Sequence, residues 1–113
     1  MSKTKDQVTT NGRAVFYTIL WPSFRKAALD CGWAIALHGS MASDMDMMAM
    51  PWTEDAVCKE DFVQAMSNCI GKTIWSDHHF KADKSKPHGR ISYTLSIFSD
   101  YYIDLSIMDS RNY

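Results

Sequence analysis

The sequence has almost no excess charge of either sign and no long apolar run. Twelve Lys and Arg residues against thirteen Asp and Glu residues leave a formal net charge of −1. So small a charge gives no field that would attract a polyanion to the whole molecule, which argues against direct nucleic-acid binding. No apolar stretch approaches the roughly 20 residues that are needed to cross a bilayer, so we expect no contact with a membrane.

Cysteine is also scarce. Cys31, Cys58 and Cys69 are scattered without a C-x-x-C spacing, which predicts free thiols in a reducing compartment. The polar N-terminus, which carries Lys3 and Lys5, lacks the apolar core of a signal peptide. We therefore expect a cytoplasmic protein.

The composition is that of one soluble globular domain, with 113 residues of which 46% are apolar and 22% are charged. Residues 1–12 are polar and aperiodic, and we predict that they form a flexible N-terminal lead-in. Residues 13–113 are predicted to form a single domain. Its core should be rich in Met and aromatic residues, since the chain has eight Met, four Trp, five Tyr and five Phe.

Apolar residues at helical spacing predict two helices. The first is predicted over residues 14–31, bent near Pro22; a helix that begins only at Pro22 is the alternative. The second is predicted over residues 54–70, from an N-cap at Thr53 to Gly71 at the position after the helix end.

Short apolar or alternating segments predict five strands, at residues 33–38, 44–50, 73–80, 90–98 and 101–108, with a loop over residues 81–89. Only five residues separate the first two strands, so these two must form an antiparallel hairpin. The order of elements predicts an α+β fold: a mixed, mainly antiparallel sheet of about five strands, with two helices packed on one face.

The candidate site lies where the first two strands meet. A Gly39-Ser40 turn precedes Asp44 and Asp46, and acids at positions i and i+2 of a strand lie on the same side of the sheet. If the later strand that carries Asp104 is a neighbour in register, three carboxylates converge. Hard cations such as Mg²⁺ prefer oxygen ligands of this kind. The alternative is an ordinary solvated strand face.

The sequence resembles the polymerase-β-like nucleotidyltransferase superfamily, and most closely its small members, in three segments: His38-Gly39-Ser40, Ser43-Asp44-Met45-Asp46-Met47 and Tyr102-Ile103-Asp104-Leu105. The resemblance implies that Asp44, Asp46 and Asp104 bind Mg²⁺. Mn²⁺ is an alternative if a histidine joins the carboxylates as a ligand. The resemblance also implies that Asp104 helps to activate an acceptor hydroxyl and that Gly39 and Ser40 hold the phosphates of an NTP. The expected reaction is transfer of NMP from an NTP to a hydroxyl on a protein or small molecule.

Only Met41, Ala42 and Ser43 separate the turn from the acids, whereas the superfamily usually places a longer segment there. This departure leaves a second interpretation open. The chain could be a catalytically silent accessory protein of a phage or mobile element, which keeps the fold and inhibits a host protein. A basic segment with Lys84, Lys86, His88 and Arg90 could neutralise phosphates or simply form a solvated loop.

Overall fold

A computed structural model of the chain describes residues 5–71, 80–98 and 101–111. These residues form two α-helices and five strands in the following order: α1 Lys5–Cys31, β1 Trp33–His38, β2 Asp44–Pro51, α2 Lys59–Cys69, β3 Phe80–Asp83, β4 Ile91–Phe98 and β5 Tyr101–Ile107. A short 3₁₀ turn, Pro87–Gly89, precedes β4. No helix in the described ranges combines the length and the apolar character that a membrane span requires.

The strands form one mixed sheet in the order β1-β2-β5-β4-β3. Strands β1 and β2 are an antiparallel hairpin, as predicted. Strand β5 is central: it pairs in parallel with β2 and antiparallel with β4, and β3 pairs antiparallel with the far side of β4. The fold is therefore α+β, and the predicted fold class is confirmed.

The core forms because alternate residues of the three inner strands leave the sheet on the same side as the two helices. The buried strand residues are Met45, Met47 and Ala49 of β2, Tyr93, Leu95 and Ile97 of β4, and Ile103, Leu105 and Ile107 of β5. They pack in one cluster with Tyr17, Phe24 and Ala28 of α1 and with Phe62, Val63 and Met66 of α2. The opposite face of the sheet, which we call the open face, carries the polar positions of the same strands.

Helix α1 differs from the prediction at its start. It begins at Lys5, so residues 5–12 of the predicted flexible lead-in are helical. It runs through Pro22 to Cys31, as the longer of the two predicted helices does, and the alternative start at Pro22 is wrong. A proline removes one helical hydrogen bond. Tyr17 before Pro22 and Phe24 and Ala28 after it are all buried, and such tertiary packing outweighs the cost of the lost bond.

Helix α2 is shorter than predicted, because it begins at Lys59 with Cys58 as its N-cap. The predicted N-cap Thr53 lies instead in a turn, where its Oγ1 donates to Asp55 Oδ1 at 2.7 Å. Tertiary hydrogen bonds hold the intervening backbone outside the helix: the Thr53 N–H donates to Gly32 O, and Trp33 Nε1 donates to Val57 O. At the other end the prediction is confirmed, since Gly71 follows the C-cap with a positive φ of 99°.

The strand bounds agree with the predictions to within one residue for β1, β2, β4 and β5. The predicted strand over residues 73–80 falls outside the described residues except for Phe80, which begins β3. The predicted loop over residues 81–89 is wrong at its start, because residues 81–83 pair with β4. The alternating residues of β4 offered no local signal for this partner.

Candidate functional site

The two strands that carry the acids are hydrogen-bonded neighbours. In the parallel register of β2 and β5, Asp46 lies beside Asp104 and Asp44 lies beside Tyr102. Met45 and Met47 are fully buried in the core, so the acids between and before them lie on the open face. Neighbouring strands are about 4.8 Å apart. The structure therefore brings Asp46 and Asp104 together, with Asp44 on the same face of the sheet.

The surroundings of Asp46 destabilise the negative charge of its carboxylate. Its pKa is raised, first by burial and next by repulsion from the Asp104 carboxylate, and Asp44 adds to the effect. His38, which is the partner of Asp46 in the β1–β2 register, acts in the opposite direction and lowers the pKa. The three carboxylates thus lie close enough to repel one another. The patch that they form favours binding of a cation.

Side chains of β4 support the third acid. Ser92 Oγ donates to Asp104 Oδ1 at 2.8 Å, and Arg90 Nη1 donates to Ser106 Oγ at 2.8 Å. Ser92 and Ser106 are buried and lie opposite each other in the β4–β5 register. The support from Ser92 was not predicted from the sequence. The signal that could have found it is its position on the polar side of an alternating strand.

The turn between β1 and β2 lies directly against the acids. Gly39 has a φ of +74°, and a Cβ at this position would lie only 2.7 Å from Asp46 Oδ2. The positive φ favours glycine at this position, and a side chain would in addition displace the Asp46 carboxylate. The Ser40 hydroxyl accepts a hydrogen bond from the Ala42 N–H at 3.2 Å. The Gly-Ser turn and the carboxylates thus form one continuous surface.

Helix α1 anchors the end of this turn. Tyr17, whose side chain is fully buried, donates its hydroxyl to Ser43 O at 2.7 Å. Arg13 Nη1 approaches the same carbonyl at 3.4 Å, and its guanidinium lies over the Tyr101 ring at 4.2 Å from the centroid. Burial raises the pKa of Tyr17, which keeps its hydroxyl protonated as a donor. Ser43 directly precedes Asp44, so α1 fixes the point at which the acidic strand begins.

Across residues 5–71, 80–98 and 101–111, no group of three or more His, Cys, Asp and Glu side chains has the arrangement of a metal site. What is assembled is the pair of Asp46 and Asp104, with Asp44 two residues away along β2. The donors are all carboxylate oxygens, the type that Mg²⁺ prefers. A cation would also relieve the repulsion that raises the pKa of Asp46. The donor chemistry fits the ion, and the metal role of the three acids stays a prediction.

The basic segment before β4 divides into two parts. Lys84 and Lys86 are exposed, and Lys86 Nζ lies 3.8 Å from Asp83 Oδ2. Arg90 instead reaches Ser106 on the open face. Cys31, Cys58 and Cys69 are free, as predicted. They take no part in the candidate site.

Comparison with known proteins gives a likeness in structure alone. No family model matches the sequence, and no curated protein does. The structure is similar to that of a cytoplasmic RNA terminal U-transferase, with a TM-score of 0.43 and 16% sequence identity. The match covers 93% of this chain and 30% of the other, so this chain spans less than a third of that protein.

Proposed function

We propose that the protein is a small metal-dependent nucleotidyltransferase, which transfers NMP from an NTP to a hydroxyl acceptor. One observation carries the proposal: the parallel register of β2 and β5 places Asp46 beside Asp104 on the open face, with Asp44 on the same side. Nucleotidyl transfer concentrates negative charge on phosphate oxygens, and its catalysis rests on positioning and on charge neutralisation. A preformed patch of carboxylates that favours a cation suits this chemistry.

The proposed roles follow from the positions of the residues. Asp44, Asp46 and Asp104 would hold Mg²⁺ or Mn²⁺, which when bound would neutralise phosphate charge. Gly39 and Ser40 would offer a backbone N–H and a hydroxyl to the NTP phosphates. The acceptor oxygen would bond to the α-phosphorus while the bond to pyrophosphate breaks. The hydroxyl proton would pass to the Asp104 carboxylate, whose Oδ1 also accepts from Ser92.

The test is a titration of the purified protein with ATP, GTP, CTP and UTP, with and without Mg²⁺. We expect at least one NTP to bind in the presence of Mg²⁺, and Asp46→Asn to weaken this binding about tenfold or more. Asp30→Asn is the matched control, because Asp30 is exposed on α1 and pairs with Lys26 at 3.2 Å. It should leave NTP binding unchanged.

If none of the four NTPs binds and Asp46→Asn changes nothing, the enzyme proposal is wrong. The accessory-protein interpretation predicts that outcome. It also predicts that the function survives substitution of the carboxylates.

A further inference from the structure

An open cavity of about 410 Å³ adjoins the carboxylates on the same face of the sheet. The described residues that line it are His38, Met48, His88, Arg90, Ser106 and Met108. Met48 and Ser106 are partners in the β2–β5 register, two residues beyond the Asp46–Asp104 pair. Two residues of a strand span about 6.6 Å. The floor of the cavity is therefore continuous with the acidic patch and displaced along the strands by that distance.

The wall of the cavity is mostly apolar, and the Arg90 guanidinium is its permanent charge. Among the described residues that line it, there are one guanidinium and two imidazoles and no carboxylate. Ser106 fixes Arg90 through a single bond from Nη1, and a guanidinium has five N–H donors in all. The remaining donors can form the paired hydrogen bonds by which arginine recognises phosphate. Met48 and Met108 provide an apolar wall that adapts to the shape of a ligand.

We propose that this cavity binds the acceptor of the transfer reaction, and that the acceptor is a small alcohol that carries a phosphate monoester. Arg90 pairs with the phosphate, and a hydroxyl some 6–7 Å away along β5 reaches Asp104. The cavity volume falls within the range of sites for small molecules. The role of the hydroxyl rests on the proposed function, whereas phosphate binding by Arg90 does not.

The reaction leaves the acceptor's own phosphate unchanged. The acceptor hydroxyl oxygen forms a bond to the α-phosphorus of the NTP, and the α-phosphorus to pyrophosphate bond breaks. The hydroxyl proton goes to Asp104, and pyrophosphate leaves. The product is a phosphodiester that joins the NMP to the phosphorylated alcohol.

The first test is binding without NTP and without Mg²⁺, with glucose 6-phosphate as the probe and glucose as its phosphate-free counterpart. We expect the full chain to bind glucose 6-phosphate and not glucose in a calorimetric titration. Arg90→Gln should weaken binding about tenfold or more, since it removes a charge-assisted pair. Arg25→Gln, at an exposed arginine of α1, should change it less than about twofold.

A second variant guards against misfolding. Arg90→Lys keeps the charge and loses the planar fork, so we expect intermediate binding on a chain whose circular dichroism is unchanged. Failure of glucose 6-phosphate to bind, or equal binding by Arg90→Gln, overturns the proposal. Neither result affects the test of Mg²⁺ and NTP binding through Asp46→Asn.

The acceptor role has its own readout. With Mg²⁺ and the NTP that binds, mass spectrometry should show glucose 6-phosphate gaining the mass of one NMP. Arg90-dependent phosphate binding by a chain that binds no NTP would overturn the acceptor role. Stronger competition by a 5′-phosphorylated oligonucleotide than by any small phosphate monoester would overturn the choice of a small acceptor.

Discussion

Asp46 shows how a single residue can serve a site at the expense of stability. It lies between Asp44 and Asp104 on the open face, and its pKa is raised by burial and by its acidic neighbours. The folded protein thus binds a proton at this carboxyl more tightly than the unfolded chain does. The stabilisation that comes from this tighter proton binding is fully present below the unfolded-state pKa. It is lost as the pH rises through the folded-state pKa. Such a cost is common where a site collects like charges.

Asp46→Asn should therefore stabilise the protein at neutral pH in the absence of metal. We expect the free energy of unfolding at pH 7 to rise by roughly 0.5–1 kcal/mol, the size of effect typical of a partly solvated charge. The gain should vanish below the ordinary Asp pKa of 3.8, where both states are protonated. Urea denaturation at several pH values measures it.

Asp30→Asn should instead lower the free energy of unfolding, because it removes an exposed ion pair with Lys26. We expect it to lose up to about 0.5 kcal/mol at pH 7. Equal destabilisation by Asp46→Asn and Asp30→Asn would show that Asp46 carries no unfavourable charge.

Two glycines should respond to alanine with opposite signs. At Gly39 the new Cβ would lie 2.7 Å from Asp46 Oδ2 on a backbone with φ of +74°, so we expect a loss of about 1–3 kcal/mol. Gly12 lies within α1 and has nothing within 4 Å of such a Cβ. Gly12→Ala should gain about 0.5–1 kcal/mol. Thermal unfolding of both variants checks the pair, and a neutral Gly39→Ala would contradict both the positive φ and the close approach.

Among the secondary-structure elements, α1 does more than cover the sheet. Its buried residue Tyr17 holds the carbonyl of Ser43, immediately before β2 begins with Asp44. The Gly-Ser turn is thus tied at one end by the sheet and at the other by the helix. This contact gives α1 a direct effect on the geometry of the candidate site.

Tyr17→Phe isolates this tie, because it removes one hydroxyl and keeps the ring in the core. We expect a loss of about 0.5–1.5 kcal/mol and faster amide hydrogen exchange at Ala42 and at Ser43. The control is Thr18→Val, at a neighbouring exposed residue whose hydroxyl bonds only to Ala14 O within the helix. It should leave exchange in the turn unchanged. Unaltered exchange in Tyr17→Phe would mean that the turn holds its conformation without α1.

Local patterns predicted most elements, and tertiary contacts explain the exceptions. Alternation in β4 and β5 and the apolar segment of β1 are readable from the residues themselves. The start of α2 could not be predicted from local patterns. Hydrogen bonds to Gly32 O and from the Trp33 side chain hold the preceding backbone outside the helix. The sequence identifies Asp44, Asp46 and Asp104 as candidate site residues, and their roles stay predictions. The support from Ser92 was not predicted, because it depends on strand register.

For the molecule as a whole, β5 is the strand on which cooperativity depends. It joins the β1–β2 hairpin to the β4–β3 pair, and Leu105 at its centre is fully buried. Trp33 stacks on Phe62 at 4.2 Å within the same core. Loss of packing at β5 should therefore destabilise both helices and every strand pair together.

Leu105→Ala should cost about 2–5 kcal/mol, a large part of the roughly 5–15 kcal/mol that stabilises a typical domain. Tryptophan fluorescence and far-UV circular dichroism should shift together to lower urea concentration. Met50→Ala, at a residue that is 36% exposed, should cost less than about 1 kcal/mol. Separate transitions by the two probes would show that the hairpin and the C-terminal strands unfold independently.

The parallel pairing of β2 with β5 also affects the order in which parts of the protein fold. Asp46 and Asp104 are partners in the sheet although about half of the chain separates them. Closing so long a loop is slow compared with forming the β1–β2 hairpin. A chain in which the hairpin has formed and β5 has not yet docked holds one half of the acidic pair without the other. Assembly of the acidic pair therefore requires closure of this long loop, and it reports that β5 has docked beside β2.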